Sequence, residues 1–293
     1  MIKITAISLS ILLIVIGNFA EELLATDLVL KIALFLIATF GIIHGCNDLH
    51  LHRLNPTLKH FSLISRLILY LGLVGVFILL YLLSAQICLV SFVVFSAYHF
   101  GEEQLEERIF TDFKWNRLLY FVFGNCILLL LFTFNYIETL RFLNELQLPA
   151  IQQQTFVILC VGSLIMQFMM LLSLATLQII SFKSFILMQL ELLLIAALFA
   201  TTNLLIGFTT YFIFWHSIPS LKSQYILIKT KFSKQRFKAI ALQSGGIYLI
   251  ALTTLFSIFF LIESTSLMLN ILLCVAIAIT IPHILSIAGM YRR

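Results

Sequence analysis

Apolar runs of near-membrane length recur along the whole chain and are separated by short polar breaks. They cover residues 4–19, 28–46, 67–83, 87–100, 118–134, 151–174 (extending toward 180), 185–200, 204–218, 240–262 and 267–290. A bilayer's hydrocarbon core is about 30 Å thick and takes roughly 20 apolar residues of helix to cross. Backbone groups in lipid must be bonded within the segment, so runs of this length in this number leave helices as the available structure. Hydrophobic residues make up 61% and charged residues 11% of the chain, against about 45–50% and about 25% in soluble domains. The expectation is an all-α, polytopic integral membrane helical bundle of nine or ten spans, ten being favoured, forming a single transmembrane domain over residues 1–293. The longest polar stretches, 47–60, 102–117 and 222–238, are too short for a soluble domain. Run 87–100 is short, so it predicts either continuation into 102–107 or local bilayer thinning.

Charge predicts orientation. With the N-terminus in the cytoplasm and ten spans, every Lys and Arg except Lys31 and Arg141 falls on the cytoplasmic side, as the positive-inside bias requires. The bias favours an even number of spans, both termini cytoplasmic, in a multi-pass protein of the inner (plasma) membrane. The net charge of +5 then reflects topology and gives no reason to expect a nucleic-acid partner. Lys3 and the first apolar run resemble a signal peptide, but no small-residue cleavage site follows and Glu21 and Glu22 come next. The run reads as a retained helix. Cys46, Cys88, Cys126, Cys160 and Cys274 lie in or beside apolar runs without a CxxC pair, as small buried thiols do.

Four histidines stand out. His44, His99, His216 and His283 sit on runs that all cross in one direction, and each precedes the first charged residue of its flank: Asp48, Glu102, Lys222 and Arg292. At 1.5 Å per residue the offsets correspond to depths of roughly 5–14 Å, so four imidazoles share one slab of the membrane. Ionisable groups at this depth are costly and mark function. Neutral imidazole is the commonest transition-metal ligand, and three or four of them suit Zn, Cu or Fe. Asp48 follows His44, and Glu103 follows His99, by four residues, on the same helical face. Either carboxylate could orient its histidine or ligate directly. Gly45 and Gly101 leave room for a close neighbour, and Pro219 and Pro282 release backbone carbonyls near His216 and His283. His50, His52 and His60 are expected in a solvated loop. Glu191 is expected to pair with Gln189 or Asn203, and the phenylalanines mostly to pack or face lipid. Electron transfer through b-type haem and metal or proton transport are the other classes open. A single slab of ligands fits two haems poorly, and the outer half offers few polar residues for a path.

The motifs His44-Gly45-x-x-Asp48, Tyr98-His99-Phe100-Gly101, Trp215-His216-Ser217-x-Pro219 and Pro282-His283, in this order over almost the whole chain, resemble the Brp/Blh family of β-carotene 15,15′-dioxygenases. The resemblance implies cleavage of the central double bond of β-carotene with O2 into two retinal molecules. It also implies a non-haem Fe(2+) held by histidines and a functional link to a retinal-binding rhodopsin. His44, His99 and His216 match the first three histidine motifs. Many relatives carry a further histidine one turn after the third, where this chain has Ser220. His283 takes the fourth ligand place in this reading, with a water, Glu103 or Asp48 as alternatives.

Overall fold

A computed structural model describes residues 2–54, 60–106, 108–109, 115–261 and 265–287. Lys59, Lys114, Arg292 and Arg293, which entered the charge argument, lie outside the described residues. Fourteen α-helices and one π-helical segment are seen there: α1 Ile2–Phe19, α2 Glu21–Leu24, α3 Asp27–Gly45, α4 Asp48–Leu51, α5 Leu63–Leu83, α6 Ala85–Leu105, α7 Asn116–Phe134, α8 Tyr136–Glu145, α9 Gln153–Thr176, α10 Phe182–Thr201, α11 Leu204–Thr210, the π segment Tyr211–Ser217, α12 Ile218–Lys231, α13 Lys234–Leu261 and α14 Thr265–Ile287. Nine helices among the described residues are long and apolar enough to cross a membrane, and α14 supplies a shorter apolar helix, Leu273–Ile287, where the tenth span was expected. Most of their apolar surface faces outward: only 6% of the span window in α5 is buried, and Leu82, Leu83, Ile158 and Leu242 are at least 70% exposed. Exposed apolar area on that scale is unsuited to water and suited to lipid. The chain is an all-α, multi-pass helical bundle.

Two local expectations change. The basic stretch 222–238 is not a loop: α12 continues through Lys231, and α13 starts at Lys234. Lys, Gln and Leu all favour helix, so the charge marks a helical hairpin rather than a break. Run 87–100 does continue, through Leu105, which gives α6 the length of a full span.

Helix ends follow local chemistry. Ser62 and Ser181 cap α5 and α10 by accepting the N–H groups of Ser65 and Ser184, and Asn203 caps α11 through Ile206 N–H. Each cap satisfies one of the orphan donors of a first turn.

The chain divides into two compact units, one of residues 1–36 and 93–218, the other of 37–92 and 219–293. In the first, α7 is the central element, with Leu119, Phe123, Cys126, Ile127 and Leu131 buried. Two glycines let it meet α6 backbone to backbone. A Cβ on Gly101 would lie 1.8 Å from the Tyr120 carbonyl oxygen, and one on Gly124 would lie 1.8 Å from that of Ala97. Helix α1 meets α10 the same way, at Gly17 and the Thr201 carbonyl. Small residues at such crossings are how apolar helices associate without a hydrophobic drive between them. In the second unit α14 packs on α5 and on the short α4, around a small apolar cluster of Leu51, Ile228, Ile240 and Ile287.

Candidate metal centre

In the second unit α3 ends at Gly45, and the chain turns directly into α4. The turn is fixed by side chains. Gln224 of α12 donates to the His44 carbonyl (3.2 Å) and accepts from Asn47 Nδ2 (3.0 Å), while Ser244 of α13 donates to Asn47 Oδ1 (2.8 Å). Beyond this turn the Asp48 carboxylate bonds His283 Nδ1 through Oδ1 at 2.8 Å and accepts from the Tyr70 hydroxyl through Oδ2 at 3.1 Å. A carboxylate only accepts hydrogen bonds, so His283 Nδ1 carries the proton donated to Asp48. The His44 and His283 rings lie 4.3 Å apart, centroid to centroid, and both are buried. Asp48 was expected to orient His44; because α3 stops before it, it orients His283. Gly45 is not the site of a close approach either, since a Cβ there would meet nothing nearer than 3.5 Å.

His50 and His52 are the clearest correction. They were expected in solvent, and both are buried, at 7% and 3% exposure. The polar stretch after α3 folds back as α4 and packs on α14. His52 Nε2 pairs with Ser286 Oγ at 2.6 Å, and that hydroxyl donates to the Pro282 carbonyl at 2.7 Å. The turn bearing His283 is thereby held from both sides. His52 lies beyond the end of the spanning segment. Burial pushes its imidazole below the ordinary histidine range; nearby Asp48 opposes this, and Arg66 adds to it.

In the first unit His99 and His216 form the second pair, with ring centroids 4.6 Å apart and planes at 88°. Their surroundings are aromatic: Phe100 lies 4.7 Å from the His216 ring, and Phe212 stacks on it at 5.7 Å. His216 belongs to the π segment Tyr211–Ser217. Pro219 has no N–H to offer the Trp215 carbonyl, which an α-helix would require. Gln104 Nε2 of α6 fills that place at 2.7 Å, and Trp215 itself donates from its indole to Ser10 Oγ of α1 at 3.0 Å. π segments of a single turn occur disproportionately at functional sites. Glu103 lies one turn beyond His99 and is half-buried. The proposed stand-in position, Ser220, is fully buried on α12. Glu191 pairs with neither Gln189 nor Asn203: it bonds Arg108 and, at 3.2 Å, Lys3. Gln189 instead pairs with Gln167.

Sequence reasoning missed Tyr70, Gln104, Gln224 and His52. Tyr70 was within reach, since it is a hydrogen-bonding side chain on a helix whose neighbours are apolar, a pattern that marks an internal partner. Gln104, Gln224 and His52 depend on how helices pack and carry no local signal.

Compared with known families, residues 35–291 match the family model described as beta-carotene 15,15′-dioxygenase. Comparison with curated proteins and with solved structures gives no match.

Proposed function

Because the chain belongs to the beta-carotene 15,15′-dioxygenase family, we propose that it is a membrane-embedded non-haem iron oxygenase. In this reading it cleaves β-carotene at the central 15,15′ double bond with O2 and releases two molecules of retinal. The observation that carries the reading is the match itself: it spans residues 35–291 and so includes all four membrane histidines. Family membership places the chain among enzymes, rather than the electron carriers or transporters that its histidines alone left open.

The residues present fit iron. His44, His99, His216 and His283 are buried imidazoles, the ligand type that holds Fe(II). His283 has its tautomer fixed by Asp48, the usual arrangement behind a ligating imidazole. Ligand sets drawn from these four, with Glu103 or water as the remaining candidate, define the proposed centre. Bound iron supplies the means of activating O2. The chain's own contribution is to hold imidazoles in single orientations, to bury them away from bulk water and to offer apolar walls for a polyene. Phe100 and Phe212 beside His216 provide such a wall. A bilayer-dissolved substrate enters such a protein from the lipid side. The orientation proposed is both termini cytoplasmic in the inner (plasma) membrane, with retinal made available to a retinal-binding protein such as a rhodopsin.

Expression in a β-carotene-producing bacterium tests this. The colour should fade as retinal accumulates, and the purified protein should contain iron without a Soret band. Unchanged carotenoid despite good expression and iron supply would sink the proposal, and a Soret band would overturn its non-haem part.

A further inference from the structure

A second polar feature of the 37–92 and 219–293 unit takes no part in the histidine chemistry. A cavity of about 360 Å³ is lined by Arg53, Arg66 and Arg236 together with Ser62, Phe61 and Phe232. Arg66 is 1% exposed, and its only hydrogen bonds among the described residues are to the Ser62 and Leu49 carbonyls, from Nε at 3.3 Å and Nη1 at 3.2 Å. None of the three arginines forms an ion pair among the described residues. The sequence of this unit holds two acidic residues, Asp48 and Glu263, and Asp48 is committed to His283 and Tyr70. A buried guanidinium without a counter-charge is costly. Ser62 is the N-cap of the 21-residue helix α5, so the partial positive end of that helix adds to the same field. Arg236 lies over the Phe232 ring at 5.4 Å, which holds its planar fork in place.

We propose that this cavity binds a phosphate group, chelated by Arg53, Arg66 and Arg236 at the start of α5. Arginine forks match phosphate oxygens in pairs. Basic pockets at the ends of membrane helices take anionic headgroups. The phosphate comes either from a phospholipid headgroup or from free phosphate, and the site is independent of the iron reading.

The test uses the full-length protein, delipidated in detergent. It is titrated with phosphatidylglycerol, phosphatidylcholine and inorganic phosphate, with binding read by native mass spectrometry and stability by thermal shift. Saturable retention of phosphatidylglycerol over phosphatidylcholine, weakened at least about tenfold in R53Q/R236Q, supports a headgroup site. Stabilisation by inorganic phosphate alone, lost in the same variant, supports a free-phosphate site. Arg53 is partly exposed and Arg236 exposed, so R53Q/R236Q keeps the fold, whereas R66Q would alter a buried position. Equal binding of both lipids with no response to phosphate, or binding unchanged in R53Q/R236Q, overturns the proposal.

Discussion

The two histidine pairs are built by different means. His99 and His216 are positioned by packing: glycine-mediated backbone contact between α6 and α7, aromatic rings on His216 and a π segment. His44 and His283 are positioned by polar bonds: Asp48 and Tyr70 behind His283, Gln224 on the His44 carbonyl, and His52 with Ser286 beneath. Residues of one type, in one kind of apolar surrounding, have aromatic rings packed against them in one unit and an acid–tyrosine–serine network beside them in the other. Packing constrains the plane of a ring but does not select which of its nitrogens carries the proton. A carboxylate on Nδ1 settles the tautomer and raises the basicity of the other nitrogen.

That contrast can be broken in stages. Replacing any of His44, His99, His216 or His283 by Ala should remove bound iron and lower retinal formation by about a hundredfold or more, as loss of a ligand does. Iron content per protein checks it, and a variant keeping both is not a ligand. Gly124→Val should be next, because its side chain meets the Ala97 carbonyl. We expect a loss on the order of 3 kcal/mol, seen as a lower unfolding temperature. Asp48→Asn should leave the fold nearly intact yet weaken iron binding by about 10- to 100-fold, the usual cost of losing a ligand's hydrogen-bond partner. Competition with a chelator measures it. If the pairs are held independently, Asp48→Asn and Gly124→Ala should have additive effects to within about 0.5 kcal/mol. Tyr70→Phe should cost about 1 kcal/mol, the worth of one buried hydrogen bond, with a smaller drop in iron affinity than Asp48→Asn.

The smallest effect concerns pH. The folded imidazole of His52 is pushed down, so the unfolded chain takes up a proton first as pH falls. Its contribution to stability is full above the unfolded value of about 6.5 and declines below it. His52→Gln should flatten the acid limb of a stability–pH curve, and an unchanged slope would deny His52 that role.

Much of this was legible in the sequence, because apolar run length specifies spanning helices almost directly. The four histidines announced themselves as ionisable groups at depth. Asp48 shows where one-dimensional reading fails. Four residues from His44 places it on the same face only if the helix continues, and α3 stops at Gly45. His50 and His52 failed for the opposite reason: a polar stretch was taken for solvent, whereas α4 folds back against α14. Glu191 was given near neighbours in sequence, but its partners Lys3 and Arg108 come from α1 and from the turn beyond α6.

The π segment at Tyr211–Ser217 has a consequence for how this helix varies between relatives. A π turn is one residue wound into an α-helix as an insertion, and an α-helix advances about 100° per residue. Deleting one residue from 211–217 would restore an ordinary helix and leave everything beyond it in nearly the same angular phase, because the wider π turn spends seven residues on the angle that about six take in an α-helix. Ser220 and Gln224 would then keep their faces although their sequence positions shift by one. Sequence alignment through this motif therefore has to be made in angular phase, not in residue count.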